Sequence, residues 1–352
     1  MAESLILDIV NQDPFSLISM TDGVNKIDHQ PNHLGRLGIF TLSPVRSAII
    51  ALDVKSTGIR LVQTSQRGEP VESRDKRNKA QFKHFSTGRL ALKDRINATD
   101  VAYLREYDTA DQPKQLASEI TERQAGDQGT GGLMGDIDAT KEFQRLGALR
   151  GKLYDTEGAL LYDYFAEMGV AEPSVISLDV TTLIDGNFRE AIQENVVRYM
   201  RKTKKGAKYS DILALCGPGA IDTLKKSPEY YKAMENQNDS TDLLNGYDGE
   251  TVKFAGVHWV EYEGTDDDTT VALGDDEVIF IPRGLDNTVF KQICSPGEKF
   301  SQLGQKGQDF YSWIKWDRSD DDPEWVDVYV ACYLLMLNLR PEMVRRATIT
   351  AS

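Results

Sequence analysis

Cysteine is scarce in this chain: Cys216, Cys294 and Cys332 are the only three in 352 residues. The number is odd and the spacing wide, so neither a disulfide framework nor a zinc motif follows, and a reducing compartment is expected. Histidine is almost as rare. His29, His33, His84 and His258 are scattered, and Pro31 keeps His29 and His33 from sharing a helical face. No metal and no cofactor are expected. Long apolar runs are also missing. The longest, Val328 to Leu337, has ten residues, whereas a membrane helix needs about 20. The opening MAESLILDIVNQDPF has no basic stretch ahead of an apolar one, so no secretory leader and no membrane role are expected. Positive charge is in deficit overall: 41 Lys and Arg face 55 Asp and Glu, for a net −14. That balance disfavours wholesale binding to nucleic acid or an anionic membrane.

The cations that are present gather in one place. Arg67, Arg74, Lys76, Arg77, Lys79, Lys83, Arg89, Lys93 and Arg95 share a window with only Glu69, Glu72, Asp75 and Asp94. This segment carries +5 and leaves −19 on the rest of the chain. Just before it, SAIIALDVKSTGIRLVQT reads as a hairpin over 47–64, turning at Gly58. Ile50, Leu52 and Val54 share one face by the strand period of two. An isolated hairpin is marginal in water, so this one needs a support.

The remaining pattern is mixed. Residues 1–40 read as an extended arm broken by NQDPFS and DHQPNHLG. DQPKQLASEITERQA is a helix, DQGTGGLMGD a break, and IDATKEFQRLGALRGKLY a second helix. GKLYDTEGALLYDY forms a hairpin turning over 155–158. IDGNFREAIQENVVRYMRKTKKG is a helix whose C-terminal cations suit its macrodipole. SDILALCGPGAIDTLKKSPEYYKAM reads strand, turn, helix; VKFAGVHWVEYEG and DEVIFIPRG are two strands around an acidic loop. WVDVYVACYLLMLNL, apolar on both faces, is a fully buried strand closed by Pro341.

Sites of chemistry are few. Cys216, ahead of a helix, could be a nucleophile with His258 as its base, making a cytosolic Cys-dependent hydrolase the remote alternative. The plainer reading of Cys216 is a small buried hydrophobe. GTGGLMG lacks the Lys-Ser/Thr of a phosphate loop, and a break between helices explains it. The acids between Asp266 and Glu277 lack calcium-loop spacing and read as a solvated loop. The cations around Phe82 and Phe85 sit in no nucleic-acid motif. A better partner for a basic segment is the acidic surface of another copy, in contacts that propagate head to tail.

RSAIIALDVKSTGIRLVQTSQRGEP, FKHFSTGRLALKDRINATDV, RLGALRGKLYDTEGALLYDYF, VKFAGVHWVEYEG with DDEVIFIPRG, and YVACYLLMLNLRPEMVRRAT appear in a telling order. In that order and content the chain resembles the lambda-like major capsid proteins of tailed bacteriophages, which have the Hong Kong ninety-seven fold. The resemblance implies an α+β fold of four parts. These are an N-terminal arm (1–40), an extended hairpin loop (41–97), a discontinuous peripheral domain with a long spine helix (98–183 and 312–352), and an α/β axial domain (184–311). It also implies a non-enzymatic head subunit, assembled in the host bacterial cytoplasm into an icosahedral virion shell of hexamers and pentamers. That shell encloses double-stranded DNA without sequence-specific binding. A scaffolding protein, a portal and a decoration protein are the implied partners. The subunit interface is expected at Ile50, Leu52, Arg60, Arg74, Lys76, Arg77, Lys79, Phe82 and Phe85. A nanocompartment (encapsulin-like) shell protein is the alternative within the same fold. Some relatives carry a covalent Lys-Asn crosslink, and no pair here can be matched to it.

Overall fold

The computed structural model describes residues 33–54, 81–102, 116–126, 132–180, 187–204, 207–235, 252–264, 271–284, 289–317 and 323–350. The chain runs through a short helix α1 (His33–Arg36) and strands β1 (Thr41–Pro44), β2 (Ile49–Val54), β3 (Gln81–Ser86) and β4 (Gly88–Asn97). Helices α2 (Ala98–Ala102), α3 (Leu116–Ala125) and α4 (Gly132–Arg150) follow. Next come the hairpin β5 (Lys152–Tyr154) and β6 (Leu160–Asp163), helix α5 (Tyr164–Met168) and strand β7 (Ile176–Asp179). One continuous helical stretch is built of α6 (Asn187–Ile192), a π-helical segment (Gln193–Arg198) and α7 (Tyr199–Thr203). Then come β8 (Asp211–Cys216), α8 (Pro218–Lys225), α9 (Pro228–Glu235), β9 (Val252–Phe254), β10 (Val257–Glu261) and β11 (Glu277–Arg283). The chain closes with β12 (Phe290–Cys294), β13 (Tyr311–Trp316), β14 (Trp325–Asn338) and β15 (Arg345–Thr350).

Two sheets organise the molecule. In the first, β14 is the spine: β4 pairs along one edge, while β13 and then β12 share the other, with β1 parallel to β12. Its sequence explains this place. Val326, Val328, Val330, Cys332, Leu334 and Met336 point one way by the period of two and form a core with α4. On the opposite face Tyr329, Ala331 and Tyr333 pack with Tyr311 and Trp313. Burying each large aliphatic side chain here is worth about 1.5–3 kcal/mol before ordering costs.

The second sheet has the order β7-β15-β11-β8-β10-β9. Its strands split their side chains in the same way. Ile212, Ala214 and Cys216 of β8 join a core under the helices at Phe188, Ile192 and Leu224. Leu213 and Leu215 turn to the other face and meet Leu146 and Leu149 of α4. Helix α4 therefore packs against both sheets.

Several expectations hold. The helices at 116–125 and 132–150, the hairpin turning at 155–158, the strand-turn-helix at 211–225 and the buried strand closed by Pro341 are all present. Others are corrected. VKFAGVHWVE is itself a hairpin, since Ala255 and Gly256 both adopt positive φ (54° and 81°) and turn β9 back on β10. Tyr164 opens α5 rather than extending β6, because Asp163 caps the helix by accepting from the backbone N–H of Phe165 and Ala166. Helix α4 begins at Gly132, inside the expected glycine break.

The opening hairpin changes most. β2 pairs with β3, while the expected mate at 59–64 and the turn at Gly58 lie outside the described residues. Strand pairing also runs across the four expected parts, since backbone pairing outranks sequence proximity. β4, placed in the loop at 41–97, is a full partner of β14. β12, placed in the axial domain, belongs to the first sheet, while β7 and β15, placed in the peripheral domain, belong to the second.

Candidate assembly surface

The β2–β3 ribbon is a two-stranded sheet of its own, joined to neither larger sheet. Its register sets Ile50 opposite Phe85 and Leu52 opposite Lys83. The root is firmly held. Phe85 is 1% exposed and lies in the first core, 5.4 Å ring to ring from Tyr162. Ser86 donates its backbone N–H to the Tyr162 hydroxyl at 3.0 Å. Tyr162 stacks on Tyr164, and the buried Tyr164 hydroxyl donates to the Met336 carbonyl of β14. Burial raises the Tyr164 phenol far above its usual range, so it stays a donor. Thr87 closes the root, donating its backbone N–H to Ala48 and lying 2.8 Å from the Ser295 hydroxyl.

The two faces of the ribbon differ, with Ile49 and Ala51 turned to solvent. Ile49 is 63% exposed, whereas Ile50 and Leu52 are half-buried against the first core. Of the residues expected at the interface, Phe85 is therefore used inside its own chain. Arg60, Arg74, Lys76, Arg77 and Lys79 lie outside the described residues, as does the side chain of Phe82.

The basic segment divides in two. Its described members each meet an acid of the same chain: Lys83 with Glu167 at 3.8 Å, Arg89 with Glu298 at 3.5 Å, and Lys93 with Asp327 at 3.8 Å. Arg95 grips Asp327 with two nitrogens, at 2.6 and 3.1 Å. That guanidinium holds the Asp327 carboxyl below the usual carboxylate range. Part of the charge of the basic segment is thus answered within its own chain, for Lys93 and Arg95 because folding β4 against β14 brings Asp327 within reach.

The hydrolase alternative does not assemble. Cys216 pairs with Glu261 across β8 and β10, and His258 sits opposite Leu213. Three residues of strand, about 10 Å, separate the two positions. The Cys216 thiol is buried, and burial pushes it far above its ordinary value, the reverse of an activated nucleophile. Burial likewise raises Cys294 and Cys332, each to about 12.

Sequence reasoning missed the aromatic anchor of Tyr162 and Tyr164. The spacing of two was visible, but the partner Phe85 lies far away in sequence and carries no local signal.

The arrangement is a two-sheet body with a long helix between the sheets and a ribbon rooted at one point. A family model described as phage major capsid protein E matches residues 16–349. The chain belongs to this family. It is thus a phage major capsid protein, a structural component of the virion. Among curated proteins it is similar to the major capsid protein of Salmonella phage Felix O1, at 21% identity over 94% of this chain and 95% of that one. Among solved structures it is similar to the mature capsid of bacteriophage PhiM1, with TM-score 0.51, 10% identity, and coverage of 92% of this chain and 88% of that one. A chain from Gordonia phage Cozz gives TM-score 0.51 at 10% identity, covering 93% and 89%. The capsid of cyanophage P-SCSP1u gives 0.50 at 12%, covering 93% and 90%. These likenesses establish the Hong Kong ninety-seven fold for this capsid protein.

Proposed function

We propose that this capsid protein is a non-catalytic subunit whose β2–β3 ribbon lies on a neighbouring copy, closing hexamers and pentamers into an icosahedral shell around double-stranded DNA. The observation that carries this is the ribbon itself. It pairs with no third strand among the described residues, it is anchored at its root, and it shows Ile49 to solvent. Such a ribbon is marginal in water and its outer edges are open to pairing. A neighbouring subunit supplies the missing cover.

On this reading Ile49, Phe82 and the cations Arg60, Arg74, Lys76, Arg77 and Lys79 face the neighbour, while Phe85 is withdrawn to its own core and Ile50 and Leu52, packed in part against that core, offer the neighbour only their remaining surface. Apolar cover supplies most of the affinity, and the ion pairs set register, at about 0–1 kcal/mol each. The resemblance to tailed-phage heads supports a scaffolding protein, a portal and a decoration protein as partners. The net charge of −14 supports loose, sequence-independent enclosure of DNA.

The test replaces residues 55–80 with a short Gly-Ser turn. The variant is expected to fold, by circular dichroism, and to yield no shells under electron microscopy. Shells at the native level would remove residues 55–80, with Arg60, Arg74, Lys76, Arg77 and Lys79, from assembly; a second variant, Ile49→Asp, tests the ribbon itself, and native-level shells from it would remove the ribbon face.

A further inference from the structure

The second sheet carries opposite charge at its two ends. At the start of β8 and the end of β11, Arg198, Arg201, Lys202, Lys204 and Lys208 are exposed, and none has a carboxylate partner among the described residues. Arg283, opposite Asp211 in the β11–β8 register, stands at the same end and is also exposed. The chain path holds this group in place: the Lys204 carbonyl accepts from Arg340, and the Ser210 N–H donates to the Arg283 carbonyl at 2.9 Å. Glu194 and Asp211 border the group without matching its number.

The other end is acidic. Glu261 ends β10, Glu263 follows it with the His33 imidazole 3.9 Å away, Asp222 lies on α8, and Asp275 and Asp276 precede β11. Packing brings them together: Ala220 N–H donates to the Asp275 carbonyl at 2.7 Å, and a Cβ at Gly219 would lie 3.3 Å from the Asp276 carboxylate. Lys225 offsets part of this charge, and Glu277 is spent on Arg150 at 2.6 Å.

Distance decides what such a pair of poles does. A strand of this length spans about 20 Å, more than twice the Debye length of about 8 Å at physiological salt. Within one chain the poles are screened from each other. Between chains in contact they are not, and opposite poles steer and register the encounter. A contact joining different surfaces of identical subunits closes a ring when its rotation permits.

We propose that the basic end of the second sheet, at Arg198, Arg201, Lys202, Lys204 and Lys208, docks on the acidic end, at Asp222, Glu263, Asp275 and Asp276, of the next copy in a capsomer ring. This rests on the shell-subunit reading and adds to it a surface far from the β2–β3 ribbon.

The test reverses each pole. One variant carries Arg201→Glu, Lys202→Glu and Lys204→Glu; another carries Glu263→Lys, Asp275→Lys and Asp276→Lys; a third combines all six. Ring formation is followed by native mass spectrometry and shells by electron microscopy, with circular dichroism as the fold control. Each single-pole variant is expected to lose assembled material by roughly tenfold, and the combined variant to recover it. Native-level assembly by either single-pole variant overturns the proposal, as does a combined variant no better than the singles. Normal assembly with reduced DNA retention in the basic-pole variant also overturns it, by assigning that end to DNA phosphates. Where a reversed pole fails to fold, the Gln and Asn versions decide: salt-sensitive weakening supports the contact, and native assembly overturns it. If the native chain forms no shells at all, the shell reading itself fails, independently of the poles.

Discussion

Single side chains carry two measurable consequences. The Arg95–Asp327 pair depresses the Asp327 pKa in the folded state. A depressed carboxylate contributes stability that is full above its unfolded value, about 3.9, and is lost as pH falls through the folded value. Asp327→Asn is therefore expected to lower the melting temperature at neutral pH, with the gap to the native chain narrowing below about pH 4. A gap that stays constant down to pH 2 would detach this pair from stability. Lys299 sits over the Trp313 ring at 4.0 Å. Burial first, and Lys315 second, lower its amine to about 8. Amine-reactive labelling at pH 8 is expected to mark Lys299 ahead of Lys315 and Lys93, as read by peptide mass spectrometry. The anchoring residues were hard to see at this scale: Phe85, Tyr162 and Tyr164 meet across long stretches of chain, and no local pattern announces such a meeting.

Among elements, β14 was the most legible. Its run of apolar residues on both faces has one physical solution, a strand with neighbours on each edge and cores above and below. Leu334→Ala should cost about 2–5 kcal/mol by chemical denaturation, since the site is walled in and cannot collapse freely. A loss under 1 kcal/mol would mean the core there is loosely filled. The β2–β3 ribbon was only half legible. Alternation in Ile50, Leu52 and Val54 gave the first strand, and the nearest apolar run, at Ile59 and Leu61, looked like its mate. The described mate is β3, which Phe85 anchors in the first core. The charge pattern misled in a similar way. A sequence count cannot tell that Lys93 and Arg95 lie in β4 beside Asp327 of β14, where their charge is already answered.

At the level of the whole molecule, order along the chain predicted the α+β class and the family but not which strand joins which sheet. The C-terminal β15 sits between β7 and β11 in the second sheet, although its neighbour in sequence, β14, centres the first. Such crossings depend on long-range pairing, which composition and periodicity do not encode. Stopping the chain after Val344 is accordingly expected to abolish the cooperative unfolding of the second sheet rather than fray an end. Hydrogen exchange over β7 and β11 would check this, and unchanged protection there would refute it.

Both sheets also draw strands from either side of α9. β1 and β4 join β12, β13 and β14 in one, while β7 and β8 join β9, β10, β11 and β15 in the other. A protease that severed the backbone just beyond Glu235 would free no fragment. The two pieces would remain laced together through two sets of strand pairings, and a particle nicked at that point in every subunit would keep its shape until something melted it.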